Sequence, residues 1–115
     1  MIFWTPVALW MAAIFAFSSI PGENIPKIPI PNINNLAHFV EFYILGFLLI
    51  RAFLNSGLNI NFTKMLILAI IIASLYACSD EWHQHFVRNR TPDIFDLITD
   101  FIGANVGVFL YKKRR

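Results

Sequence analysis

Residues 96–107 of the chain have the sequence Asp-Leu-Ile-Thr-Asp-Phe-Ile-Gly-Ala-Asn-Val-Gly, inside an apolar segment that continues to Tyr111. Its two aspartates and two glycines are separated by four, three and four residues, so in a helix all four positions share one face. The glycines form a Gly-x-x-x-Gly motif, which permits a second helix to approach closely. The segment therefore predicts a membrane helix whose acidic and glycine-rich face is directed into a helix bundle.

The composition of the whole chain indicates a membrane protein. Of its 115 residues, 57% are hydrophobic and 14% are charged, whereas a soluble domain carries about 25% charged residues. The single cysteine, Cys78, excludes an internal disulfide and a metal site built from several cysteines. Basic residues are not interleaved with aromatic residues, so we expect no nucleic acid as a partner.

Four apolar segments predict four helices. Each approaches the ~20 residues needed to cross a bilayer core of about 30 Å, and a helix satisfies its own backbone hydrogen bonds in lipid. The predicted helices span residues 2–17, 36–54, 63–84 and 92–111. The predicted fold class is all-α, an integral membrane four-helix bundle, in a single domain over residues 1–115.

The basic residues predict the orientation of this bundle, with both termini in the cytoplasm. Six Lys and Arg residues then lie on the cytoplasmic side and three on the outer side, in agreement with the positive-inside rule. The cytoplasmic residues are Arg51, Lys64, Lys112, Lys113, Arg114 and Arg115, and the outer residues are Lys27, Arg88 and Arg90. The acidic residues then all lie toward the outer face, although the assignment does not use them.

Acidic residues at the outer helix ends are candidate functional residues, because carboxylates at membrane depth are costly and rarely passive. Asp96 and Asp100 lie within the fourth apolar segment. His38 and Glu41 are three residues apart near the start of the second, so they share a helix face. We expect the helix ends that carry these residues to lie on the same side of the membrane.

The end of the third helix carries a second polar stripe. Asp80, Gln84 and Arg88 are spaced four residues apart, and Glu81 lies one turn before Gln84. Arg88 and Arg90 follow the acids directly. Since arginine binds phosphate and carboxylate groups in a bidentate manner, this end of the helix predicts a site for an anionic head group.

A metal site is a weaker interpretation of the same residues. His38, His83, His85 and the carboxylates are potential ligands, but the chain has no His-Glu-x-x-His motif and no cysteine pair. His83 and His85 are two residues apart and face different ways in a helix. We therefore expect neither a bound metal nor another cofactor.

These residues together resemble the VanZ-like (teicoplanin-resistance) family of small membrane proteins, over nearly the whole chain. The resemblance rests on Phe17-Ser-Ser-Ile-Pro21, His38-Phe39, Asp80-Glu81-x-x-Gln84, Arg90, and Asp96-x-x-x-Asp100-x-x-Gly103-x-x-x-Gly107. The chain has Asn34-Asn35 where the family often has Asp-Lys. The resemblance implies a multi-pass protein of the bacterial cytoplasmic membrane, linked to glycopeptide resistance and the cell envelope.

Our first hypothesis is an outward-facing pocket that binds or processes an anionic amphiphile, such as a lipid-linked phosphate or a lipoglycopeptide. The candidate catalytic residues are Glu81 or Asp96 as proton acceptor and His38 as proton relay. The candidate ligand-binding residues are Arg90, Arg88, Gln84, Glu41, Asp80 and Asp100. Binding and catalysis both remain open at this point.

Two other hypotheses assign different roles to the charged residues. In one, the chain is a structural or assembly module, and its charges form an internal salt-bridge network that serves specificity. In the other, the chain is a proton-coupled carrier that uses its intramembrane acids. The carrier is less favoured, because Ser74 and Asn105 are the polar residues of an otherwise apolar inner half.

Overall fold

The computed structural model describes residues 2–19, 33–87 and 94–114. These residues form four α-helices: α1 (Trp4–Ser18), α2 (Ile33–Leu54), α3 (Phe62–Gln84) and α4 (Ile94–Arg114). The predicted all-α fold with four helices is confirmed. α2 begins at Ile33, three residues before the predicted position. Its first turn therefore includes Asn34 and Asn35, and the backbone N–H groups of a first turn have no partner within the helix.

Three of these helices are long and apolar enough to cross a membrane, over Leu36–Leu54, Phe62–Gln84 and Ile94–Tyr111. α1 is also apolar, but it has 15 residues, which extend about 22 Å at 1.5 Å per residue. This length is below the ~30 Å of the hydrocarbon core. Large apolar side chains such as Leu75 and Phe109 are exposed on the outside of the bundle, as lipid contact requires.

The connection between α2 and α3 follows from two local signals. After the end of α2, Gly57 has a φ of 79°, a left-handed conformation that glycine adopts without a steric cost. Asn61 then caps α3, because its side-chain Oδ1 accepts a hydrogen bond of 2.8 Å from the backbone N–H of Lys64. α3 therefore begins at Phe62, one residue before the predicted position, and returns antiparallel to α2.

α2 and α4 run parallel and pack with their backbones in contact. At three glycines, an added Cβ atom would overlap a backbone carbonyl oxygen of the facing helix. The facing pairs are Gly103 with Phe39, Gly107 with Tyr43, and Gly46 with Ala104. The Gly-x-x-x-Gly motif of α4 thus has the packing role that the sequence predicts, and Gly46 supplies the matching gap on α2.

Hydrogen bonds attach α1 to its two neighbours. The indole Nε1–H of Trp10 donates to the carbonyl oxygen of Glu41 at 2.8 Å, and the hydroxyl of Tyr76 donates to the carbonyl oxygen of Met11. With α2 and α4 parallel and α1 and α3 antiparallel to them, the last turns of α1 and α3 meet the first turns of α2 and α4. The candidate site residues come from these four helix ends.

Candidate functional site

His38 lies near the start of α2 and is the centre of the site. Its Nδ1 is 2.9 Å from Asp100 Oδ1, and its Nε2 is 3.8 Å from Asp96 Oδ2. The histidine is 5% exposed, and the two aspartates, one turn apart on α4, are 2% and 1% exposed. The acidic face of α4 is therefore directed into the bundle, as predicted.

α3 and α1 contribute the remaining buried polar side chains. Asp80 and Gln84, one turn apart on α3, are both buried. The hydroxyl of Ser18, the last residue of α1, donates a hydrogen bond to Asp80 Oδ1. Asp80, His38 and Asp100 each place one potential ligand atom within 4.8 Å of the others. We call the six buried residues the polar cluster: Ser18, His38, Asp80, Gln84, Asp96 and Asp100.

Glu41 and Glu81 lie at the margin of the polar cluster. Both residues are half-buried. Glu41 lies three residues after His38 on the same face of α2. Glu81 follows Asp80 in α3 and has one buried carboxylate oxygen. The acids of the predicted site therefore differ in depth, with the aspartates inside and the glutamates toward the edge.

The predicted anion-binding residues Arg88 and Arg90 lie outside the described residues. Two other basic residues, Arg51 and Lys64, lie in the last turn of α2 and the first turn of α3, at the opposite end of the bundle. Among the described side chains, the imidazole of His38 is the basic group that contacts the α4 aspartates. The polar cluster is thus rich in carboxylates for a site surrounded by apolar helices.

The two carboxylate oxygens of Asp100 differ in their contacts. Its Oδ1 pairs with His38, but its Oδ2 is buried and has no hydrogen-bond partner among the described residues. Buried polar atoms in proteins nearly always have a partner, since an unpaired one keeps the full desolvation cost. This oxygen is therefore directed at a position where a proton donor or a cation is favourable.

Sequence reasoning missed Ser18 as a site residue. Short hydroxyl residues at helix ends are common, and the string that contains Ser18 supported the family resemblance but no polar contact. Two features could have identified Ser18 as a site residue. It belongs to the string that resembles the family, and it lies at the end of α1 that faces the acidic residues. The neighbouring Ser19 has its hydroxyl 3.0 Å from His83 Nε2, and this imidazole stacks on Phe15.

The model of the VanZ/LLP1 family matches residues 3–114. The chain belongs to this family. The match covers nearly the whole chain, as the sequence resemblance predicts, and includes every residue of the polar cluster. Together with its three long apolar helices, membership makes this VanZ/LLP1 chain a multi-pass membrane protein.

One relative of this VanZ/LLP1 chain is the uncharacterized protein C11E3.10 of Schizosaccharomyces pombe. The two are 26% identical over 94 residues, which cover 78% of this chain and 55% of the yeast protein. The chain thus spans about half the length of this relative, whose name states no activity. No solved structure matches the chain.

Proposed function

We propose that this chain is a cell-envelope protein of the bacterial cytoplasmic membrane, whose outward-facing polar cluster binds or processes an anionic amphiphile. The observation that carries the proposal is the joint burial of His38, Asp80, Asp96 and Asp100 between apolar helices. Buried charges of this kind are often replaceable by apolar residues without loss of stability, so their presence favours a function. Membership of the family relates the chain to glycopeptide resistance, which suits a lipid-linked phosphate or a lipoglycopeptide as the ligand.

In this proposal the arginines after α3 bind the anionic head group. Arg88 and Arg90 lie four and six residues beyond Gln84 in the sequence. A chain spans at most about 3.5 Å per residue, so both remain within reach of the polar cluster. Their guanidinium groups suit phosphate and carboxylate oxygens, and the amide of Gln84 orients the head group from the end of α3.

Processing of the ligand would use His38. Asp100 holds Nδ1 of the imidazole, which fixes the ring orientation, as an orienting carboxylate does for a histidine base. Nε2 is then free to exchange a proton with the ligand or with Asp96, whose Oδ2 lies 3.8 Å away. Asp96 or the half-buried Glu81 serves as the final proton acceptor.

The experiment is a ligand titration of the purified protein in detergent. Polyprenyl monophosphate and teicoplanin are titrated against the wild type and the double variant Arg90→Ala/Asp96→Asn, with helicity checked by circular dichroism. We expect the double variant to bind one of these ligands at least about tenfold more weakly, a difference of about 1.4 kcal/mol. Lys64→Ala, at the opposite end of the bundle, is the control. Unchanged binding by a folded double variant would remove the proposal.

A structural module is the second candidate function. It is favoured by the hydrogen bonds themselves, since Ser18 with Asp80 links α1 to α3 and His38 with Asp100 links α2 to α4. If the polar cluster serves assembly alone, charge-neutralising variants lower stability and ligand binding together.

The proton-coupled carrier has less support. In the inner half of the bundle the amide of Asn105 donates to the carbonyl oxygen of Phe101 in its own helix, rather than to a path across the membrane. Proton flux in liposomes tests this function, and flux that disappears in Asp100→Asn would establish it.

A further inference from the structure

We propose that His38, Asp80 and Asp100 together bind a divalent transition-metal ion of the Zn²⁺ or Mn²⁺ type. One potential ligand atom of each residue lies within 4.8 Å of the other two, and all three residues are buried. They belong to α2, α3 and α4, so the site is assembled by helix packing. Ligands brought together by packing are far apart in the sequence, and the sequence motifs therefore predicted no metal.

The unpaired oxygen of Asp100 is the second observation for a cation. Asp100 is 1% exposed, and its Oδ2 accepts no hydrogen bond from any side chain or backbone group of the described residues. A metal ion bonded to this carboxylate would satisfy the orphaned oxygen.

The donor atoms lie close to the spacing that such an ion requires. In a tetrahedral site with bonds of about 2.0–2.1 Å, two donor atoms lie about 3.4 Å apart, so donor atoms that are up to 4.8 Å apart need to close by up to about 1.4 Å. One imidazole and two carboxylates suit Zn²⁺ or Mn²⁺ better than Ca²⁺ or Mg²⁺, which prefer oxygen ligands alone. Three protein ligands leave a coordination position open, as in catalytic sites.

The surroundings of the three ligands supply the outer contacts that metal sites need. Ser18 donates a hydrogen bond to Asp80. If Nδ1 of His38 and Oδ2 of Asp100 are the ligand atoms, Nε2–H of the same ring faces Asp96 Oδ2 at 3.8 Å and would form a hydrogen bond after a shift of less than about 1 Å. A carboxylate behind a ligating histidine fixes the ring and raises its basicity.

A bound metal would also remove a difficulty of the amphiphile proposal. The bridging role described here rests on that proposed function, whereas the metal site itself does not. An acidic cluster repels an anion, but a bound divalent ion inverts the local field and offers its open position to a phosphate or carboxylate oxygen. Arg90, six residues after Gln84 in the sequence, would then bind the same head group. In this arrangement the acids hold the metal, and the metal with the arginines holds the anion.

The test is metal binding by the full chain in detergent after treatment with a chelator, without any amphiphile present. Zn²⁺ and Mn²⁺ are titrated by calorimetry against the wild type and three histidine variants. We expect one ion per chain for the wild type, His83→Gln and His85→Gln. His38→Gln should bind at least about tenfold more weakly, since the loss of a ligand weakens binding at least as much as the loss of a residue that supports one. Asp80→Asn replaces His38→Gln if the latter does not keep its helicity.

The two proposals fail in different ways. Lack of stoichiometric binding by the wild type, or equal binding by a folded His38→Gln variant, overturns the metal site. Titration of polyprenyl monophosphate with and without the chelator then tests the bridging role. If the ion binds but the phosphate binds equally well without it, the bridge is wrong while the amphiphile function stands.

Discussion

His38 of α2 and Asp100 of α4 are joined by a contact of 2.9 Å between Nδ1 and Oδ1. The contact exists because the two helices touch through their backbones one residue further along α2. There the carbonyl oxygen of Phe39 occupies the space that a side chain at Gly103 would need. The glycine motif and the buried ion pair therefore depend on each other. The glycines allow the two helices to approach closely, and the polar residues meet where the helices converge.

The first prediction concerns the histidine itself. His38→Leu leaves Asp100 buried without the basic side chain that contacts its Oδ1, and removal of one member of a buried pair costs about 3–5 kcal/mol of stability. Denaturant unfolding in detergent measures the change. The control is His85→Gln at an exposed position, where we expect a change within about 0.5 kcal/mol. Equal effects of the two substitutions would contradict the assigned contacts.

The second prediction concerns the glycine contact. Gly103→Ala forces the α2 backbone away from α4, and overpacking of this kind costs about 1–3 kcal/mol. Because the helices separate beside His38, the variant should also weaken ligand binding. Gly57→Asn is the control, since nothing lies within 4 Å of its added Cβ and asparagine tolerates a positive φ. A larger loss of unfolding free energy for Gly57→Asn than for Gly103→Ala would overturn this account of the packing.

The sequence predicted the helices and the acidic face well because both depend on local periodicity. Asp96, Asp100 and the two glycines share a face in any α-helix, so their direction into the bundle followed from their spacing. The contacts between helices could not be predicted from this periodicity. The pairing of His38 with Asp100 and the hydrogen bond from Ser18 to Asp80 depend on how helices far apart in the sequence pack. The spacing of residues within one helix holds no information about that packing.

The third prediction separates two adjacent serines. Ser18→Ala removes a buried hydrogen bond to Asp80 and should lower the free energy of unfolding by about 1–3 kcal/mol, the cost of an acceptor left buried. The hydroxyl of Ser19 is exposed and bonds to Phe15 and His83, so Ser19→Ala should cost less than about 1 kcal/mol. Thermal unfolding of both variants measures the difference, and the reverse order would be inconsistent with the polar cluster.

The fourth prediction tests the helix boundary far from the site. Asn61→Ala removes the N-cap of α3 and should cost about 1 kcal/mol of stability, without a change in ligand or metal affinity. The exposed Asn59 is a matched control two residues away, and Asn59→Ala should have little effect on thermal unfolding. A loss of ligand affinity in folded Asn61→Ala would show that the two ends of the bundle are coupled, contrary to this account.

The claim that the polar cluster serves ligand binding, rather than assembly, is tested most directly by Asp96→Asn. This substitution keeps the side-chain shape and removes one buried carboxylate. Affinity for polyprenyl monophosphate or teicoplanin and the unfolding midpoint are measured on the same purified sample. We expect at least about a tenfold loss of affinity in a variant that stays folded at the temperature of the titration. Wild-type affinity, or a loss of affinity that only accompanies unfolding, would contradict the claim.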